Sequence, residues 1–368
     1  MAASPSRPEA GAAARPTGLL ATVLLLTGAL AAAVLFSPLL GNTTIPPELV
    51  LRILANRISG AALFPHPCAG FSISPRLCQA YTEIVWEERL PEVLLALGAG
   101  AALGLSGASL QGVFRNPLAD PFLLGISSGG TVGAALVFVF RVDVAQQNLV
   151  LPAFAFAGAL ATGGVILVAA RSRFGSVETL LLTGVALSSF LSSVLSLLLL
   201  LNPTGSLQVD FWLLGNIGSG TWPVDGIVLG VLLITGSVLS VYGRELNLLQ
   251  LGNDIAQSLG VDVRRARLAI LVLTSLTTAV AVAFTGIIGF VGLVSPHIVR
   301  RLFGTDYRIV VPASAVVGGV FLLSARDLSL AVLPSSVLPI GIFTAFAGAP
   351  FFAYLLYRRR GAFTMGDR

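Results

Sequence analysis

The sequence contains no lysine: all 22 of its basic residues are Arg. That excludes a P-loop ATPase, whose phosphate cradle is built around a Lys, and any chemistry run through a lysine Schiff base. Charge of either sign is scarce, at 11% of residues, against about 25% in soluble domains. Hydrophobic residues make up 55%. A water-soluble domain of 368 residues does not cover its surface with so little polarity, so the chain reads as an integral membrane protein. There are two His, two Cys and no Cys-x-x-Cys, which leaves no set of ligands for a structural zinc or iron–sulfur site. No metal or other cofactor is therefore expected in this chain. The net charge of +5 does not argue for nucleic acid, because the Arg residues are scattered between apolar runs and follow membrane topology instead.

A membrane-spanning helix needs about 20 mostly apolar residues. Ten segments are candidates: 18–40, 90–113, 122–140, 149–170, 179–201, 222–241, 268–287, 289–302, 309–323 and 338–356, the eighth short for a crossing. The first is longer than the ~7–15 residues of a signal-peptide core, so it reads as a retained helix. With ten crossings and the N-terminus inside, sixteen Arg fall on the cytoplasmic side and six outside. The expected organisation is a cytoplasmic tail at 1–17, a transmembrane domain at 18–357 and a second cytoplasmic tail at 358–368. The outer stretch Gly41–Glu88 holds a short interfacial helix over Pro46–Ile58 and two cysteines, Cys68 and Cys78. These are either a disulfide or two unlinked thiols. Forty Gly, some spaced as in Gly100-x-x-x-Gly104, predict close helix packing in lipid.

Three polar islands stand apart from ordinary connectors. In the first, a helix ends at Arg115-Asn116-Pro117 and Pro121 restarts the chain, with Asp120 and Ser127 placed to satisfy freed backbone groups. The second, Arg244–Arg267, is too polar to span. It predicts a short helix over Asn253–Leu259, capped by Asn253 or Asp254 and stopped by Gly260. That helix lacks Lys and Arg, so its surface fits a protein groove better than an anionic lipid surface. In the third, Thr285–Arg308, Pro296 is expected to bend or break the short eighth span, and His297 reads as a hydrogen-bonded structural residue rather than a ligand or proton carrier.

The run RLPEVLLALGAGAALGLSGASLQGVFRNPLADPFLLGISSGG resembles the signature of the FecCD-like permeases, the membrane subunits of ABC importers for ferric siderophores, haem and vitamin B12. The resemblance continues through LNLLQLGNDIAQSLGVDVRRAR, GFVGLVSPHIVRRLFGTDYR and LPIGIFTAFAGAPFFAYLL. It implies an all-α integral membrane fold of about ten transmembrane helices per subunit, the type II ABC importer permease architecture. It further implies a homodimer in a bacterial or archaeal plasma membrane, two cytoplasmic ABC ATPases that bind the ATP and Mg, and an extracytoplasmic substrate-binding protein. By the same likeness Asp254, Gln257, Ser258, Leu259 and Gly260 couple to the ATPase, and Arg89 meets the binding protein. Glu92 stands where the family often has a second Arg of R-L-P-R, and Val337 stands where a later motif has Glu. The likeness also implies that the fifth and tenth spans line the pathway, and that the loop Phe174–Glu178, with Val177 and Glu178, lies near the cytoplasmic gate.

The fifth span is apolar and hydroxylic, with Ser188, Ser189 and Ser192 among its serines. Such a wall offers no cage for a bare ion and suits a large, already chelated cargo moved by alternating access. An ion-coupled secondary transporter is the alternative, but it would carry carboxylates in mid-membrane, whereas Glu92, Asp120 and Glu178 lie near segment ends. A membrane enzyme would need a nucleophile and a base. Ser295 and His297 are the available pair, and at i,i+2 they do not face each other on a helix.

Overall fold

The computed structural model describes residues 19–140, 147–171, 177–203, 206–218, 220–332 and 338–364. The expected tail 1–17, the last residues 365–368 and positions 174–176 of the gate loop lie outside the described residues. In chain order the helices are α1 (Leu19–Phe36), α2 (Pro47–Ile58), α3 (Pro75–Glu83), α4 (Leu90–Phe114), α5 (Ile126–Val139), α6 (Gln147–Arg171), α7 (Val177–Leu201), α8 (Ser206–Leu213), α9 (Trp222–Val241), α10 (Gly243–Gln250), α11 (Asn253–Ser258), α12 (Val263–Thr285), α13 (Val291–Phe303), α14 (Tyr307–Val332) and α15 (Ile340–Thr364). No strand occurs among the described residues. Seven stretches, those of α1, α4, α6, α7, α9, α12 and α14, are long and apolar enough to cross a membrane, and α5 and α15 hold shorter apolar runs. A helix falls in each of the ten expected segments, but the third is interrupted at Gly125, and α13, with 13 residues, reaches only about 20 Å against a hydrocarbon core of about 30 Å.

The bundle is built around α4. Its glycines bring backbone onto backbone: a Cβ on Gly100 would sit 2.3 Å from the Gly318 carbonyl oxygen of α14, and one on Gly107 would sit 2.1 Å from that of Gly292 in α13. Close approach of this kind is how helices associate in lipid, where burial of apolar surface gives no net drive. The expected break at Pro296 does not occur, and α13 runs through it. Proline removes the donor that would bond the Gly292 carbonyl. Gln111 of α4 supplies the replacement, its Nε2 donating to Gly292 O at 3.0 Å. The ninth segment also corrects the expectation: α14 extends to Val332 rather than stopping at 323. Arg326 and Asp327 read as the end of the apolar run, yet they pair with each other at 3.1 Å and remain inside the helix.

Between α12 and α13 the chain is not helical, and Phe290 adopts φ +69°. Backbone groups at membrane depth need partners. One is supplied by the loop after α8, where Asn216 N donates to Thr285 O at 2.8 Å; the same loop accepts at Gly215 O and Leu214 O from Ile340 N and Gly341 N at the start of α15.

Residues 41–88 form a small layer with a core of its own, in which Leu49, Val50 and Ile53 of α2 pack with Ile45, Val85 and Leu90. Cys68 and Cys78 are disulfide-bonded, which decides between the two alternatives for that pair. Ser74 caps α3 by accepting from Leu77 N. Trp86, in the π-helical stretch Ile84–Arg89 that joins α3 to α4, packs at a tilt on Trp222, ring centroids 4.9 Å apart. Trp222 begins α9, whose 20 residues carry the chain about 30 Å to α10 and α11. The disulfide layer and the α10–α11 segment therefore occupy opposite ends of the bundle.

Candidate functional site

The α10–α11 end is shaped by two left-handed turns. Gly252 (φ +117°) separates α10 from α11, and Gly260 (φ +88°) stops α11. Gly260 N donates to Gln257 O and Val261 N to Ala256 O, the paired bonds of a glycine-terminated helix end. The stop falls where the sequence puts it. The start differs: Gly252 is the N-cap, no side-chain cap forms, and Asn253 and Asp254 are already helical. Asn253 instead accepts from Arg267 Nη2 at 3.3 Å, which ties α11 to α12.

Within α11 only Ala256 is buried, while Asp254, Gln257 and Ser258 are exposed. Large apolar side chains are exposed with them: Leu251 at 57%, Ile255 at 49% and Leu259 at 53%. A short polar helix that leaves three such residues in the open is an incomplete surface. A cleft of about 280 Å³ lies behind it, lined by Tyr242, Glu245, Leu259 and Asp262 among others. Two exposed cations, Arg244 and Arg265, also line it. Asp306 immediately precedes α14. The Arg308 guanidinium, at 2.6 Å, holds the Asp306 carboxyl well below the usual carboxylate range.

At the opposite end, Arg89 is only 4% exposed. Its guanidinium donates to the Pro38 carbonyl at 3.1 Å and to that of Thr43. Glu92 receives Arg326 Nη2 at 2.6 Å. Ser37 Oγ donates to Asp327 Oδ1 at 2.6 Å, which completes a cluster fed by the turn after α1, by α4 and by α14. A cleft of about 200 Å³ opens above it, bordered by Glu88, Arg89, Glu92, Asn216 and Arg326. Arg326 is a residue that sequence reasoning assigned no role. It lies in a run taken for a connector, and its partner is far away in the chain.

Val177 and Glu178 are the first two residues of α7. Further along, Ser189 and Ser192 are exposed, with Ser193 and Ser196, on one helical face. Ser193 and Ser196 donate back to the carbonyls of Ser189 and Ser192, which leaves a face without charge. Ser188 is partly buried and turns toward Gly125, where a Cβ would meet its Oγ at 3.0 Å. At the corner before α5, Asp120 accepts from Phe122 N at 2.9 Å as expected. Ser127 makes no cap, for its buried hydroxyl has no hydrogen-bond partner. In α13, Ser295 donates to its own helix at Val291 O, and His297 packs edge-on to Phe351 at 5.5 Å, so the two are not arranged as nucleophile and base.

Comparison with known proteins agrees with this architecture. The chain is 44% identical over 282 residues to YvrB, an ABC transporter permease of Bacillus subtilis, covering 76% of this chain and 80% of that one. It is 43% identical over 277 residues to the cobalamin import permease BtuC of Halobacterium salinarum, covering 75% and 74%. Against the hemin transport permease HmuU of Yersinia pestis it is 38% identical over 328 residues, covering 87% and 98%. A solved metal-chelate type ABC transporter in an inward-facing conformation superposes with a TM-score of 0.76 at 27% identity, covering 92% of this chain and 99% of that one. The described apolar helices and this kinship make it a multi-pass membrane protein. The model of the FecCD transport family matches residues 29–358, and the chain belongs to that family.

Proposed function

We propose that the chain is the membrane-spanning permease subunit of an ATP-driven importer that moves a metal chelate (a ferric siderophore, haem or cobalamin) into the cytoplasm. It works as a homodimer of ten-span subunits in a bacterial or archaeal plasma membrane, with both termini inside. Two cytoplasmic ABC ATPases supply the motor, and a substrate-binding protein delivers cargo from outside. The cargo class rests on relatives named for cobalamin and hemin. The uncharged serine face of α7, with Ser189 and Ser192, suits a bulky chelate that must pass without being gripped. Val177 and Glu178, at the start of α7, belong to the gate. Docking of the binding protein uses the cleft bordered by Glu92, which Arg89 supports from beneath by holding the Pro38 and Thr43 carbonyls.

The observation that carries this reading is α11: a short helix held between two left-handed glycines, with Leu251, Ile255 and Leu259 exposed beside Asp254, Gln257 and Ser258. A groove on the ATPase would cover these apolar side chains on docking. Substituting Leu259→Arg buries a charge in that interface, so ATPase binding to the purified permease should weaken strongly while permease dimers persist in gel filtration. Undiminished ATPase binding by this variant would remove the assignment of α11.

A further inference from the structure

Helix α10 carries Asn247 and Gln250 three residues apart, hence on one face. Each reaches the end of a different membrane helix. Gln250 Nε2 donates to the Gly112 carbonyl at 2.8 Å, in the last turn of α4, where carbonyls lack regular helical donors. Asn247 grips the start of α14 twice: its Nδ2 donates to Asp306 Oδ1 at 2.7 Å, and its Oδ1 accepts from Tyr307 N at 2.9 Å. Packing closes the same joint. A Cβ on Gly112 would sit 2.7 Å from Leu246 Cδ2 and 2.8 Å from Tyr307 Cε1. Helices α4 and α14 are themselves locked together at Gly100 and Gly318. Helix α10 is therefore fastened to a preassembled pair, and α11 hangs from α10 through Leu251 and Gly252.

We propose that Asn247 and Gln250 are positioning residues that convert movement of α11 into movement of α4 and α14. The inference rests on the reading of α11 as the ATPase-docking helix. A displacement imposed on α11 can pass to α12 through Asn253 and Arg267, and to α4 and α14 through groups of α10 that move with it. The apolar contacts of the buried Leu246 and Leu249 are close but non-directional, whereas hydrogen bonds fixed in distance and angle hold α10 to two separate helix ends. Because Asn247 uses both its donor and its acceptor on one junction, α10 and the start of α14 keep one register.

The test uses the full-length permease purified with its ABC ATPase, comparing hydrogen–deuterium exchange with and without ATP plus vanadate. In the unaltered complex, nucleotide should change exchange in α11, at residues 304–311 and at 110–116. In the double variant Asn247→Leu with Gln250→Leu, the response of α11 should persist. The response at 304–311 should fall about fivefold or more, since losing even one ordinary hydrogen bond is worth about that factor and Asn247 makes two there. Asn247→Asp sets a carboxylate against Asp306 and should fail in the same way. Combining it with Asp306→Asn exchanges donor and acceptor and should restore part of the response, the Arg308 pair being lost; an α11 response that persists throughout excludes a merely structural defect. An unaltered response at 304–311 in the double Leu variant, or no rescue by the exchanged pair, overturns the proposal. Failure of the underlying reading looks different: the unaltered complex would then show no nucleotide response in α11 at all.

Discussion

Arg326 and Glu92 meet at 2.6 Å across the contact between α14 and α4, 234 residues apart in sequence. The Arg326 side chain is 4% exposed and that of Glu92 29%. The acid that interrupts the R-L-P-R pattern therefore neutralises a buried cation of the same chain. Replacing Glu92 by Ala leaves Arg326 with Asp327 as its remaining carboxylate. A fully buried pair broken on one side costs about 3–5 kcal/mol. The partial exposure of Glu92 brings the expected loss to about 2 kcal/mol. Thermal unfolding followed by fluorescence gel filtration in detergent should register a lower midpoint for Glu92→Ala, with Glu92→Asp in between. An unchanged midpoint would mean that the pair contributes nothing to stability.

Gly107 and Gly164 make a matched pair for testing how the bundle is held. A methyl group on Gly107 would meet the Gly292 carbonyl oxygen at 2.1 Å, whereas one on Gly164 meets nothing within 4 Å. The neighbour of Gly107 is backbone, which cannot swing aside. Gly107→Ala should therefore cost about 3 kcal/mol or prevent folding, near the upper end for overpacking. Gly164→Ala should be neutral or gain about 0.5 kcal/mol from better helix propensity. Equal midpoints for the two variants would contradict the packing of α4 on α13.

Much of this architecture is legible in the sequence because the membrane writes it locally. A run of about 20 apolar residues declares a span without reference to the rest of the chain, and seven described helices are long and apolar enough to be spans here. The stop at Gly260 is equally local, since a left-handed turn after a short polar helix calls for glycine. What escaped depends on distant partners. Arg326 looks like the end of an apolar run until Glu92 is known to face it. Pro296 looks like a break until Gln111 is seen to bond the carbonyl it frees. Arg89 looks like a surface charge until the Pro38 carbonyl is found folded over it. The grip of Asn247 on Asp306 and Tyr307 was missed for the same reason.

The disulfide between Cys68 and Cys78 closes a short loop of the layer over residues 41–88, with a sequence separation of 10. Cross-linking a loop of that size is worth about 3 kcal/mol in the chain-entropy account. Its effect should be local, because the layer has a core separate from those around α4. Reduction should speed amide exchange in α2 and α3 and leave α12 unchanged. Without reductant, neither Cys should react with maleimide. Faster exchange spread evenly over all helices would show that the layer does not unfold on its own.

Acid should loosen the junction at Asp306 in a way that Asp306→Asn does not share. The carboxyl accepts from Arg308 Nε at 3.1 Å, from Arg308 N at 3.0 Å and from Asn247 Nδ2 at 2.7 Å. These donors, Arg308 foremost, hold its folded value well below the ordinary carboxylate range, with burial opposing them. A group whose pKa is depressed by folding adds stability that is fully present above the unfolded value of about 4 and disappears as pH falls from there through the folded value. Between about pH 5 and pH 8 the unaltered protein should therefore keep a constant advantage over Asp306→Asn, and below about pH 4 that advantage should shrink. Thermal midpoints of the two proteins, measured in parallel down the acid range, give the comparison. A difference that stays the same to the lowest pH reached would mean the carboxylate charge is not what binds Asn247 and Arg308. On the reading of α10 and α11 as cytoplasmic, this carboxylate stays ionised throughout the transport cycle, and the junction acts as a fixed fastening rather than a proton-operated switch.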